Sequence, residues 1–404
     1  MKKIKRAIIS VSDKKKLVSI LKILKKYKIE IISSGGTYKK IKKLGFKCKE
    51  ISDYTQSTEM LSGRVKTLHP KVYGGILNLR KNKYHQKEMK KNNFKDIDLV
   101  IVNFYPFQNT IYKTKNHKSI IENIDIGGPA IVRAAAKNYE DVVVITNTEQ
   151  YKNLINEIEK NKGSTSIEFR EKLSEEAFMK TAYYDAVVSE YFNNKLKNFF
   201  PSKKIIYSNL IEKLRYGENP HQNSALYCIG NNLGIEQLHG KKLSYNNYND
   251  IFSALNLAKT LPNNRGTTII KHTNPCGVSI NKNKFKSYKE ALASDPISAF
   301  GGIVLCNFKI NKSLALELNK LFIEVIIGKG FDKNALKVLK KKKNVRVINF
   351  ENFNTENNYN VVSNFNYMLM QNQDNKIFSS NDFKVVSKNK PSKRMMKNLV
   401  FAFN

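Results

Sequence analysis

Short β-branched runs alternate with amphipathic helical patterns through the first half of this chain, and that alternation limits the fold more than any other feature. Residues 6–11 (Arg-Ala-Ile-Ile-Ser-Val) read as a buried strand, and within residues 13–27 the side chains of Leu17, Ile20, Leu21 and Leu24 share one helical face. Residues 29–33 are the next strand, 38–44 a short helix, and 97–104 and 141–146 two further apolar strands. Strands apolar along their whole length are buried on both faces. With helices between them they predict an α/β fold built on a largely parallel sheet, with ligands beyond the carboxyl ends of the strands. A helix over residues 174–191 closes this unit, and the polar stretch 193–204 with Pro201 is the expected linker. The expected domains are therefore 1–195 and 196–404, in keeping with a chain longer than the roughly 100–200 residues of a typical domain.

Composition sets outer bounds. With 41% hydrophobic and 26% charged residues the chain is expected to fold as a soluble globular protein. It has no apolar run of membrane-spanning length, and its first residues lead into a short strand instead of a secretory segment, so a cytoplasmic, non-membrane location is expected. Cys48, Cys228, Cys276 and Cys306 are widely spaced without a Cys-x-x-Cys pair, and are expected to be reduced and mostly buried. The formal net charge of +37 suggests polyanion binding. The excess is mostly lysine spread over the whole chain alongside abundant Asn and Ile, which argues against a specific nucleic-acid site and for non-specific attraction at low salt.

Four segments carry possible chemistry. If the stretch Ser62-Gly63-Arg64-Val65-Lys66-Thr67-Leu68-His69-Pro70-Lys71 is extended, Arg64 and Lys66 point to one face, where a bound anion would relieve their repulsion; a solvated basic strand is the alternative. Ser33-Ser34-Gly35-Gly36-Thr37, between strand and helix, has the outline of a phosphate cradle, with Ser10-Val11-Ser12-Asp13-Lys14 expected beside it; a plain strand-to-helix turn is the competing reading. Asp125-Ile126-Gly127-Gly128-Pro129 opens a helix on which Arg133 and Lys137 share a face, either around an anion or as harmless surface cations. Lys271-His272-Thr273-Asn274-Pro275-Cys276-Gly277 ends a strand, with a turn expected at Asn274-Pro275. There His272 is either a general base or a structural histidine. Pro275-Cys276 matches part of a zinc-deaminase signature, but His-x-Glu is absent and Ser279 stands where the second cysteine would be, so no metal site is expected.

Taken in order, these segments resemble a known family. The matching stretches also include Asn103-Phe104-Tyr105-Pro106-Phe107, Arg215-Tyr216-Gly217-Glu218-Asn219, Leu243-Ser244-Tyr245-Asn246 and residues 295–302. Together they resemble the bifunctional purine-biosynthesis family that combines aminoimidazole carboxamide ribonucleotide (AICAR) transformylase with inosine monophosphate (IMP) cyclohydrolase. The resemblance implies a methylglyoxal-synthase-like parallel-sheet domain followed by a cytidine-deaminase-like transformylase domain without the metal. It implies that the first domain closes the ring of formyl-AICAR to give IMP, with Lys66, Tyr105, Asp125 and Lys137 at catalytic positions. Ser12, Asp13, Lys14, Ser34, Gly35, Gly36, Thr37, Arg64, Val65, Thr67, Val102, Asn103 and Ile126 match its substrate-binding positions.

For the second domain the resemblance implies formyl transfer from 10-formyltetrahydrofolate, as co-substrate, to AICAR. His272 is the implied proton acceptor and Lys271 the transition-state stabiliser, with Arg215, Tyr216, Gly301 and Glu324 at nucleotide contacts; some relatives have aspartate at position 324. A homodimer is implied. The sequence ends at Asn404 inside a helical pattern begun after Ser392, before the family's Lys-Ser-Asn motif. A truncated transformylase half, with only the first deaminase-like unit, is therefore expected; a catalytically dead polyanion-binding fragment is the alternative.

Overall fold

In the computed structural model the chain divides into two compact units, Met1–Tyr207 and Ser208–Asn404. The structure describes residues 1–58, 60–229, 232–350 and 359–404; residues 351–358 of the Asn-rich stretch lie outside them.

The first unit is built on five parallel strands in the order Lys49–Glu50, Glu30–Ser33, Arg6–Val11, Leu99–Asn103, Val143–Ile145. Ala7, Ile8 and Ile9 are buried, as are Leu99 to Val102 and Val143 to Ile145, as the uninterrupted apolar runs require. Leu17, Ile20, Leu21 and Leu24 enter the same core from the helix Leu17–Lys26, and Ile131, Val132, Ala135 and Ala136 from the helix Gly127–Lys137. The strand order reverses between Arg6–Val11 and Leu99–Asn103, so the loops after these strands diverge and leave a crevice at their carboxyl ends. The first helix begins at Leu17 instead of near Asp13, because residues 12–16 form the loop at that crevice and Lys16 takes a left-handed backbone. After the long helix Ile167–Lys195, the expected linker stretch packs back on the first unit: Lys204 pairs with Glu190 at 3.4 Å, and Tyr207 meets Tyr183 edge-on.

The second unit carries a six-stranded mixed sheet in the order Glu236–His239, Arg346–Asn349, Val325–Gly328, Ile303–Cys306, Gly266–Lys271, Asn274–Ile280. The three inner contacts from Arg346–Asn349 to Gly266–Lys271 run parallel, parallel and antiparallel. Successive residues serve opposite faces, as strand geometry dictates. Ile270, Ile303, Leu305, Val325 and Ile327 pack with the helix Tyr245–Thr260, whereas Ile269, Val304, Cys306 and Ile326 pack with Tyr288, Leu314, Leu318 and Leu339 from the opposite layer.

Three local expectations are corrected. Leu61–Gly63 is a 3-10 turn and residues 64–67 a further turn, so Arg64 and Lys66 do not share the face of an extended strand. The hairpin turn is at His272-Thr273, with Asn274 already paired to Lys271 in the next strand. A bulge follows, since Ile269 faces Gly277 but Ile270 faces Pro275, leaving Cys276 as the extra residue. Finally, all four cysteines are free, but only Cys306 is buried and the other three are partly exposed.

Ile8 sits in the central strand of the first sheet at 1% exposure. Ile8→Ala is expected to cost the first unit about 2–5 kcal/mol by loss of transfer energy and cavity formation, read as a lower midpoint in chemical denaturation.

Candidate functional site

The crevice of the first unit is assembled by main chain more than by charge. Thr37, buried in the helix Gly35–Lys43, ties that helix to the end of the strand Arg6–Val11: its hydroxyl accepts the Val11 N–H and donates to the Val11 carbonyl, both at 3.0 Å. Ser34 stays extended before the helix Gly35–Lys43, and Gly35 takes φ +50°, a backbone that costs a side-chain-bearing residue about 1–2 kcal/mol. Its N-terminal N–H groups therefore open toward the crevice. A Cβ on Gly35 would lie 3.1 Å from Lys66 Nζ and one on Gly36 would lie 3.9 Å from Lys14 Nζ. Two ammonium groups thus stand at a helix N-terminus with glycine backbone between them, an arrangement complementary to a phosphate.

Asn103, at the end of its strand, is a strut for the neighbouring loop. Its Oδ1 accepts the N–H groups of Ser12 at 2.6 Å and Asp13 at 3.0 Å as well as the Ser12 hydroxyl, and its Nδ2 donates to the Asp13 carbonyl. Val102 is buried in the sheet, so it shapes the site only through backbone. On the other side, a Cβ on Gly127 would lie 2.9 Å from Thr67 Oγ1 and one on Gly128 would lie 2.5 Å from Asp125 Oδ2. The Asp125 carboxylate accepts the Gly128 N–H at 2.8 Å. Burial pushes the Asp125 carboxyl above its ordinary value, against the opposing pull of the Gly128 and Tyr105 backbone N–H groups. Tyr105 is exposed and Ile126 stands exposed at the helix start. Val65 lies in the turn and accepts the Leu68 N–H.

Arg64 is neutralised from within the chain: its guanidinium forms an exposed ion pair with Glu122. The compensation expected from a bound anion is thus already supplied by a carboxylate. Arg133 lies over the Phe178 ring at 5.6 Å. Lys137 is exposed at the far end of the same helix, ten residues from Gly127 or about 15 Å along its axis, so the chain does not itself bring it to Asp125.

In the second unit the turn bearing His272 is strained and clamped. His272 and Thr273 have φ +50° and +63°, costing on the order of 1–3 kcal/mol each for residues with a Cβ. The helix Tyr245–Thr260 holds the turn through both main-chain groups of Thr273: its N–H donates to Asp250 Oδ1 at 2.7 Å, and its carbonyl accepts the Ser253 hydroxyl at 2.7 Å. His272 is exposed. Lys271 Nζ donates to the Phe300 carbonyl at 2.8 Å, next to Gly301 at φ +74°. Glu324 begins the neighbouring strand end and is held by Asn247 Nδ2 at 3.0 Å and the Arg346 guanidinium at 3.5 Å. Lys271, Gly301 and Glu324 therefore share one end of three neighbouring inner strands. Arg215 lies over the Tyr216 ring, after the strand Asn209–Leu214.

A family model described as the AICARFT/IMPCHase bienzyme matches residues 135–404, and one for the MGS-like domain matches residues 16–130. The bifunctional purine biosynthesis protein PurH of Ruminiclostridium cellulolyticum is 42% identical over 99% of this chain and 79% of its own length. The chain belongs to the AICARFT/IMPCHase family. PurH of Persephonella marina is equally similar, at 42% over the same shares, and that of Bradyrhizobium diazoefficiens is 41% identical over 100% of this chain and 77% of its own length. A solved structure, the crystal structure of ForH, is 32% identical with a TM-score of 0.43, covering 47% of this chain and 99% of its own. Purine biosynthesis by a bifunctional AICAR transformylase/IMP cyclohydrolase is the activity of this family. Among the described residues no group of three or more His, Cys, Asp or Glu is arranged to hold a metal ion, and no helix is long and apolar enough to cross a membrane.

Sequence reasoning passed over Asp250 and Ser253, whose role depends on partners some twenty residues away. Only the occurrence of two side-chain-bearing residues at a two-residue hairpin turn hints that something must hold it. For the first unit, Gly35→Val is expected to raise the nucleotide KM on the order of tenfold, since it fills the space at Lys66 and opposes the left-handed backbone. Steady-state kinetics with formyl-AICAR would check this.

Proposed function

We propose that the first unit carries out the cyclisation of formyl-AICAR to IMP at the crevice between Gly35, Lys66 and Asp125. The observation that carries this reading is the meeting of Lys66 and Lys14 at the N-terminus of the helix Gly35–Lys43, with Asp125 and Thr67 lining the adjoining glycine pair. Ser12, Asp13, Lys14, Ser34, Gly36 and Thr37 hold the ribonucleotide monophosphate, mainly through N–H groups and hydroxyls. Arg64 joins them by exchanging Glu122 for substrate. In the reaction the carboxamide nitrogen bonds to the formyl carbon and gives up one proton, the formamide nitrogen gives up another as its double bond to that carbon forms, and the formyl oxygen leaves with both as water. Asp125, made more basic by burial, accepts a proton from the carboxamide nitrogen. Lys66 and Tyr105 supply donors for the oxygen that departs; Lys137, a catalytic position by the resemblance, stands a helix length from Asp125 and takes no step within one chain.

The second unit, on this reading, transfers a formyl group from 10-formyltetrahydrofolate to the AICAR amine. The new bond joins the amine nitrogen to the formyl carbon, the bond to the folate nitrogen breaks, and His272 takes the amine proton, which ends on the departing folate nitrogen, while Lys271 steadies charge on the formyl oxygen. Arg215, Tyr216, Gly301 and Glu324 contact the nucleotide. Its strand order, with the hairpin Gly266–Lys271/Asn274–Ile280 at one side of three strands parallel to one another, supports a cytidine-deaminase-like domain. We assign the enzyme to the cytoplasm as a homodimer; four unpaired cysteines favour a reducing compartment, and the family resemblance favours the dimer. Charge spread along the chain favours weak non-specific polyanion attraction over a dedicated nucleic-acid site.

Purified protein given formyl-AICAR is expected to generate IMP, followed by absorbance. Asp125→Asn should lower kcat on the order of 100-fold or more through loss of the base; turnover equal to the parent would reject the reading. The base acts when ionised, so activity falls as pH drops through the raised Asp125 pKa. The acid limb of the kcat profile should thus lie above the ordinary aspartate value of about 3.9. His272→Ala should abolish formyl transfer and leave cyclisation intact, as measured by separate assays of the two half-reactions.

A further inference from the structure

The long helix Ile167–Lys195 contributes no residue to the cyclisation chemistry above, yet one of its side chains touches both loops that carry it. Tyr184 is 7% exposed, and its hydroxyl accepts the backbone N–H of Asp125 at 2.8 Å. Its ring meets Phe104 edge-on, with centroids 5.3 Å apart, and Phe107 at a tilt, 6.1 Å apart. Those phenylalanines flank Tyr105, whose main chain lies on the side of the Asp125 carboxylate and opposes the rise of its pKa. Tyr184 thus joins the Asp125 main chain, through its hydroxyl, to the loop around Tyr105, through its ring. Tyr184, Tyr105, Asn103 and Asp13 also line one cavity of about 290 Å³.

A phenylalanine would fill the same core volume, so the hydroxyl needs its own reason to be buried. A buried phenol costs free energy unless it is hydrogen-bonded, and here its partner is the amide of the carboxylate residue itself. We propose that Tyr184 is a positioning residue for the cyclisation, fixing the Asp125 carboxylate against the Tyr105 loop. This rests on the assignment of Asp125 and Tyr105 to that reaction.

With formyl-AICAR as substrate, Tyr184→Phe is expected to lower kcat about tenfold and to change KM by no more than about twofold, since misplacement of a reacting group weighs on the transition state more than on binding. Asp125→Asn, assayed in parallel, separates the two claims. An unchanged kcat in Tyr184→Phe beside an inactive Asp125→Asn overturns the positioning role alone, as does a raised KM at unchanged kcat. Full activity in Asp125→Asn overturns the underlying assignment and the positioning role together. Amide hydrogen exchange in the unsubstituted protein needs no variant to fold: protection of the Asp125 N–H is expected, and exchange at the open-chain rate overturns the inference.

Discussion

Burial on both faces leaves a parallel strand nowhere to put polar side chains except beyond its ends, and the first unit follows from that constraint. Ala7 to Ile9 and Leu99 to Val102 are committed to the core. The hydroxyls, amides and glycines of Ser12, Ser34 to Thr37 and Asn103 accordingly gather where the strands stop. Because the strand order reverses there, the polar ends converge on a crevice instead of being capped by the next connection. Thr37 and Asn103 then spend their hydrogen bonds on neighbouring main chain, which fixes the loops around the N-terminus of the helix Gly35–Lys43.

The second unit reaches a comparable end by a different route. A hairpin turn of His272 and Thr273 takes a left-handed backbone that glycine or asparagine would adopt more cheaply. The cost is offset by Asp250 and Ser253, which grip both main-chain groups of Thr273 from the helix behind. The same turn leaves His272 exposed while Lys271 stays at the end of its strand beside Gly301, so these neighbours in sequence do not alternate across a strand.

Much of this was legible from residue order. The apolar runs at 6–11, 97–104 and 141–146 appear as strands, and the glycine-rich segment at 33–37 lies at a strand-to-helix junction, because burial pattern and glycine placement are local properties. Arg64 and Lys66 were not legible. Their expected common face assumed an extended chain, while Leu61–Gly63 winds into a 3-10 turn and Glu122, far along the sequence, neutralises Arg64. The turn expected at Asn274-Pro275 falls two residues earlier, since pairing across the bulge and the grip of Asp250 outweigh the turn preference of that dipeptide.

The sequence by itself determined which segments are buried and which short motifs can approach a phosphate or exchange a proton, because hydrophobic periodicity, glycine freedom and side-chain chemistry are carried by each residue with its near neighbours. Only the tertiary structure decided which of those groups meet. Lys66 reaches Gly35 and Asp125 is held by Tyr184, while Lys137 stands a helix length away from the aspartate that begins the same motif. Such distances depend on how separate strands and helices pack, and that is settled by the shared core they must fill.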